Sequence, residues 1–244
     1  MRDLSRYADI YSDDFFEGVM VSVRRNMILD LIRRRRPQSI LEVGCGLLPL
    51  FIDCPDVKNH LVIDPCEKFY LNALKLAEAR SGVHVVCGKF EDLPNASWSE
   101  GFDLVVISSL IHELPNADEL ISKAKSLCHA KSILHVNVPN SESFHIKLAG
   151  AMGLISKSDE LSERAIKYQR SRTFNLNQLK VTLEVAGFEV LESGDYFIKP
   201  FTHAQMAATM QAGIINEAVI NGLANLSSQL SGWGAEIYVN CAPK

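Results

Sequence analysis

Gly44-Cys45-Gly46, two glycines around one small residue, closes the apolar run Ile40-Leu41-Glu42-Val43. Such a run reads as a buried parallel strand, and the glycines give it a turn without obstructing side chains. A ligand's polar groups can lie against bare backbone there. The next acidic strand end is Asp64, in Leu61-Val62-Ile63-Asp64-Pro65. In doubly wound sheets a carboxylate about 20 residues past a glycine turn grips ribose hydroxyls. The spacing therefore predicts a nucleoside-containing cofactor at the carboxyl ends of the first two strands.

What is missing narrows the cofactor. A dinucleotide fingerprint needs a third glycine three residues after the second, and that position is Pro49. No glycine-rich loop ending in Lys-Ser or Lys-Thr is present to cradle phosphates. Glu42, just before the turn, would repel a phosphate and favour a cation. S-adenosylmethionine has a ribose, a sulfonium, an amino group and no phosphate, so it fits these charges better than NAD.

The chain resembles the class I S-adenosylmethionine-dependent methyltransferases. Glu42-Val43-Gly44-Cys45-Gly46 is similar to that family's first motif, and Asp64 to its ribose-binding acid. Gly88-Lys89-Phe90-Glu91-Asp92-Leu93-Pro94 is similar to its adenine-binding stretch, and Phe102-Asp103-Leu104-Val105-Val106 to its fourth strand. The similarity is clear over roughly residues 35–140 and looser beyond, with a pattern like that of bacterial methyltransferases acting on sugars and other small molecules. It implies a cofactor site of Glu42, Gly44, Cys45, Gly46, Asp64, Pro65, Phe90, Glu91, Ser108 and Ser109. Many family members carry Asp where this chain has Lys89, so the adenine amino group would rely on Glu91 or Asp92.

Methyl transfer needs a nucleophile aligned with the methyl and, in some cases, a base. The fourth strand ends in Ile107-Ser108-Ser109-Leu110-Ile111-His112-Glu113. His112 is the candidate general base, because an imidazole accepts a proton near neutral pH. Followed by an acid, it resembles the His-Asp pair of some small-molecule O-methyltransferases; the alternative is a capping histidine beside a solvated Glu113. The strand end offers Ser-Ser rather than clustered carboxylates, so no metal is expected. His135 alternates within the fifth strand and reads as structural. Tyr168, Arg170 and Arg172, with Tyr196, Lys199 and His203, are candidates to wall a pocket for an anionic or hydroxylated substrate. On an extended segment Arg170 and Arg172 share a parity and point the same way. Aromatic packing with a solvated lysine explains the 196–203 cluster equally well.

Strand-like runs at 39–43, 60–64, 83–87, 102–108 and 132–138 alternate with helical stretches, notably 66–80 and 117–129. That pattern gives a parallel sheet with helices on both faces. Runs at 188–197 and 235–241 would complete seven strands. The resemblance implies the order 3-2-1-4-5-7-6 with the last strand antiparallel. Residues 1–36 read as an N-terminal helical segment; its aromatics Tyr7, Tyr11, Phe15 and Phe16 pack on the body or, as the resemblance implies, form a lid. The helix over 19–36 ends in Arg33-Arg34-Arg35-Arg36-Pro37, cations that complement its dipole before a proline stop. The insertion at 140–175 lies where α/β enzymes build substrate sites.

The chain of 244 residues, with a net charge of −4, fits a single α/β domain, residues 1–244, and argues against general nucleic-acid affinity. No apolar run is long enough to span a membrane, and no secretory signal is visible. Its six cysteines form no Cys-x-x-Cys pair, which points to reduced residues in a cytoplasmic protein. These features predict an O- or N-methyltransferase of a small-molecule acceptor such as a sugar, nucleotide sugar or natural-product intermediate. They leave room for a homodimer. The rival readings are a methyltransferase of a macromolecule, a non-catalytic S-adenosylmethionine-binding module and a nicotinamide-dependent oxidoreductase. Pro49 and the lack of a Tyr-x-x-x-Lys pair argue against the last.

Overall fold

The computed structural model describes residues 3–13, 15–156 and 163–244. In chain order the elements are α1 (Leu4–Asp13), α2 (Phe15–Arg35), β1 (Ser39–Val43), β2 (Asn59–Asp64), α3 (Glu67–Ala77), β3 (Val83–Cys87), β4 (Phe102–Ser108) and α4 (Ala117–Ser126). There follow β5 (Cys128–Pro139), α5 (Phe144–Ala151), α6 (Glu163–Lys167), α7 (Leu176–Val185), β6 (Phe188–Tyr196), α8 (His203–Gln211), α9 (Glu217–Leu226) and β7 (Glu236–Pro243). The seven strands form one sheet in the order 3-2-1-4-5-7-6. β1 to β5 are parallel, and β7 runs antiparallel to both β5 and β6. This is the expected architecture.

The central strands are apolar because both faces are covered. Leu41, Leu61, Val105 and Leu134 pack in the larger cluster with α4 and α7, and Ile40, Leu104 and Val106 pack against Ile28 and Leu31 of α2. Register matters for function. Val43 pairs with Ile63 on one side and Ile107 on the other. The next residues, Gly44, Asp64 and Ser108, therefore stand at one edge and at one level, the latter two as the last residues of their strands.

Several boundaries differ from the expectation. β5 begins at Cys128 rather than Ser132, because a register shift, with the extra residues on β5, lets Phe102 pair with Cys128. Ser132 Oγ fixes the irregularity by donating to the Phe102 carbonyl (2.6 Å). α4 consequently stops at Ser126. α5, α7, α8 and α9 carry no signal strong enough to have been placed from the sequence, though Asn175 and Thr202 form capping boxes at α7 and α8. Among the described residues no helix is long and apolar enough to cross a membrane.

A buried ion network joins the N-terminal helix to the last strand. Arg24 of α2 meets Glu236 of β7 through Nη2–Oε1 (2.5 Å) and Nε–Oε2 (3.0 Å), and Glu17 through Nη2 (3.3 Å). The Tyr196 hydroxyl donates to Glu236 Oε2 (2.5 Å). Burial works against the Arg24 charge, but Glu236 and then Glu17 outweigh it and hold the guanidinium firmly protonated.

A second polar chain runs behind the strand ends. His135 Nδ1 lies 2.6 Å from Asn240 Oδ1, and His135 Nε2 lies 3.0 Å from Asn137 Nδ2. A neutral ring with its proton on Nδ1 satisfies both contacts. Burial pushes the His135 pKa down to about 4. The folded state thus resists protonation, while the unfolded chain takes up a proton near pH 6.5. Stability contributed by His135 is therefore complete above pH 6.5 and falls by about 1.4 kcal/mol per pH unit down to about pH 4. Urea unfolding at pH 7 and pH 5 should show this loss, and His135→Gln should flatten it.

Candidate functional site

A cavity of about 520 Å³ opens at the carboxyl edge of β1, β2 and β4. Gly44, Cys45 and Gly46 form one wall. Gly44 has φ +78° and Gly46 φ +55°, left-handed values that favour glycine. A Cβ on Gly44 would meet Leu110 Cδ2 at 3.6 Å, and one on Gly46 would meet the Tyr11 ring from 3.6 Å. The glycine turn thus faces the segment after β4 on one side and the N-terminal helix on the other.

Asp64 is 4% exposed. Its Oδ2 accepts the Cys45 N–H (3.0 Å) and its Oδ1 the Cys66 N–H (2.8 Å). Burial raises the Asp64 pKa, and the donors from Cys66, Cys45 and Gly46 partly offset that rise. The same carboxylate therefore fixes the glycine turn and fronts the cavity. Glu42 also lines it, and its Oε2 accepts the Leu50 N–H (2.9 Å), which shapes the loop beyond the turn. Arg25 holds that loop by donating to the carbonyls of Leu48 (2.6 Å) and Pro49 (2.9 Å).

Ser108 and Ser109 end β4 at the cavity. Ser109 takes φ +51°, which a serine adopts only when its surroundings impose it. Here Asn137 does so: the Ser109 N–H points to both the carbonyl oxygen and Oδ1 of Asn137, each at 3.0 Å. Asn137 Nδ2 also donates to Ser108 Oγ (3.0 Å). Asn137 stands between this turn and His135, so protonation of that ring would disturb the site as well as the core.

All ten expected cofactor residues, Glu42, Gly44, Cys45, Gly46, Asp64, Pro65, Phe90, Glu91, Ser108 and Ser109, line this one cavity. Tyr168 and Arg170 reach it too, with the Arg170 guanidinium 5.9 Å from the Tyr168 ring centre. The other expected substrate residues are placed elsewhere. Arg172 donates to the Pro115 carbonyl (3.2 Å) and lies over Phe174. Arg170 and Arg172 therefore do not both face the cavity, although no helix separates them. Tyr196 is buried in the Arg24 network. Lys199 Nζ is 2.9 Å from His203 Nδ1, and His203 Nε2 is 3.5 Å from Glu17 Oε2.

His112 is 2% exposed, lies in the short helical turn Ile111–Glu113, and is not among the residues lining the cavity; Glu113 is. The His112 carbonyl accepts the N–H groups of Ser171 (3.0 Å) and Arg172 (3.2 Å), tying this turn to the insertion. α1 covers the cavity: Tyr7 and Tyr11 stack with ring centres 5.8 Å apart, and Tyr7 meets Tyr168 edge-on at 6.0 Å. Asp3 and Gln169 exchange two hydrogen bonds (2.9 and 3.1 Å) that join this helix to the insertion. Arg24 and Glu17 also line the cavity and were not expected there. A signal existed, since Arg24 sits four residues from Met20 and from Ile28, on the buried stripe of α2.

These features suit S-adenosylmethionine. Bare backbone at Gly44 and Gly46 admits a ligand chain, Asp64 fronts the place for a ribose, and the buried acids Glu42 and Glu113 favour a cation. When bound, that cofactor supplies an activated methyl group.

Comparison with known proteins agrees. Residues 41–136 match a family described as methyltransferase domain. No curated protein matches in sequence. Among solved structures, the chain is similar to magnesium protoporphyrin IX methyltransferase from Synechocystis PCC 6803 with bound S-adenosylhomocysteine (12% identity, 98% of this chain and 94% of that one, TM-score 0.62). It is also similar to the N-methyltransferase NodS from Bradyrhizobium japonicum WM9, again with S-adenosylhomocysteine (13% identity, 98% and 96%, TM-score 0.59). A third is a putative methyltransferase from Haloferax volcanii in complex with the activator Trm112 (11% identity, 100% and 99%, TM-score 0.65). At these identities the likeness is one of fold. Domain match, fold and cavity converge: residues 41–136 match a methyltransferase domain, the sheet has the Rossmann-like methyltransferase order, and the cofactor is S-adenosylmethionine.

Proposed function

We propose that the protein transfers a methyl group from S-adenosylmethionine to an oxygen or nitrogen of a small molecule, such as a sugar, nucleotide sugar or natural-product intermediate. The observation that carries this reading is the single cavity. It unites the glycine turn, Asp64 and the β4 end with Tyr168 and Arg170 of the insertion, under the cover of α1. Its volume of about 520 Å³ lies within the range of small-molecule sites, roughly 300–1,000 Å³.

The chain's own residues divide the work. The backbone at 44–46 and Asp64 hold the cofactor, and Phe90 and Glu91 flank the adenine end. Tyr168 and Arg170 contact the acceptor, and His112 fixes the turn that presents Glu113. Reduced cysteines, all free among the described residues, suit a cytoplasmic location.

Asp64→Ala removes the ribose grip and two acceptors of the turn. Hydrogen bonds to a charged acceptor contribute about 1.5–3 kcal/mol each. Equilibrium dialysis with labelled S-adenosylmethionine should show at least a tenfold weaker affinity (~1.4 kcal/mol) in a protein that is still folded. Unchanged affinity would remove the assignment. A mass-shift screen of sugar, nucleotide-sugar and amine acceptors with the wild-type protein tests the acceptor class.

A further inference from the structure

Glu113 closes the turn Ile111–Glu113 after β4 and lines the cavity while being only 5% exposed. The apolar residues Leu110, Leu114 and Leu120 line the wall around it. Its Oε1 accepts the Tyr7 hydroxyl (3.2 Å), and His112 Nε2 lies 3.9 Å from the same oxygen. This turn lies opposite the glycine turn, since a Cβ on Gly44 would touch Leu110. A carboxylate set into an apolar wall is costly unless it is hydrogen-bonded. Here one such bond comes from α1, the helix that covers the cavity. The arrangement puts a carboxyl group at the cavity, under the lid.

We infer that Glu113 faces the transferable methyl and is the catalytic residue that takes the acceptor's proton. The inference rests on the proposed function. In the step, the acceptor's O or N lone pair forms the bond to the methyl carbon as the C–S bond breaks, and the pair of that bond stays on sulfur. The acceptor's proton passes to the Glu113 carboxylate and leaves to water when the products depart. His112 is a positioning residue: it packs beside Glu113, and its carbonyl anchors Ser171 and Arg172.

The competing explanation is that Glu113 only latches the lid through Tyr7. Two variants separate the roles. Glu113→Gln keeps an oxygen that accepts the Tyr7 hydroxyl and loses the charge, whereas Tyr7→Phe loses the latch and keeps the charge. The probes are S-adenosylhomocysteine and sinefungin, an analogue in which a carbon bearing an amine replaces the sulfonium, so that an ammonium stands where the methyl would be. Binding is measured by calorimetry, without any acceptor.

The wild type should bind sinefungin more tightly than S-adenosylhomocysteine. Glu113→Gln should lower the ratio of the two affinities at least about tenfold, as for loss of a charge-assisted hydrogen bond. Tyr7→Phe should weaken both ligands alike and keep the ratio. A wild type without the preference, or a Glu113→Gln protein that keeps the ratio, would overturn the inference. Wild-type protein that binds neither ligand would instead remove the proposed function, and the inference with it.

Discussion

Gly44→Val should give a folded protein that no longer binds S-adenosylhomocysteine measurably, a loss of at least about 100-fold (~2.8 kcal/mol). The protein itself has room for a Cβ, whose nearest contact would be Leu110 at 3.6 Å. What it lacks is a compatible backbone: φ is +78°, which costs a non-glycine residue about 1–2 kcal/mol and a β-branched one more. The valine methyls would then fill the space beside the turn where the ligand chain lies. Far-ultraviolet circular dichroism should report an intact sheet, and calorimetry no binding. Normal binding by this variant would mean that the turn is structural and the ligand site is elsewhere.

Arg24→Met should cost about 3–5 kcal/mol of stability, because it leaves Glu17 and Glu236 buried without their cation. For a domain of this size each kcal/mol moves the melting temperature by about 2–4 °C, so a drop on the order of 10 °C is expected. Arg24→Met combined with Glu236→Gln should recover part of the loss, since one orphaned charge is removed with the other. A Tm within 2 °C of wild type in the single variant, on the order of one such increment, would show that water reaches the network. Arg24 also lines the cavity, so ligand affinity in this variant reports how far the network shapes the site.

The cofactor half of the site was legible because its determinants are local. Strand, glycine turn and following acid occupy short stretches of sequence, and parallel pairing in register brings Gly44, Asp64 and Ser108 to one edge without further information. The acceptor half was less legible because its partners are remote. Tyr196 and Glu236, or Arg24 and Glu236, meet across separations of 40 and 212 residues. A cluster such as Tyr196–His203, with aromatics and a cation, reads the same whether it walls a pocket or is buried in a network. Only packing of α2 and α8 against β6 and β7 decides it. His112 and Glu113 show the limit at a single step. They are neighbours, but the short helical turn directs one into the core and the other to the cavity. The pH-sensitive behaviour of His135 was likewise hidden, since it depends on Asn240 of β7 and on complete burial. Arg24 was the one readable exception, a charge on an apolar helical stripe, which implies a buried counter-charge.

The most direct test of the central claim is calorimetric titration of the wild-type protein with S-adenosylhomocysteine and, in parallel, with NADH. The cavity lined by Gly44, Gly46 and Asp64 predicts saturable one-site binding of the first and none of the second. Absence of S-adenosylhomocysteine binding, or tight binding of NADH, would contradict it.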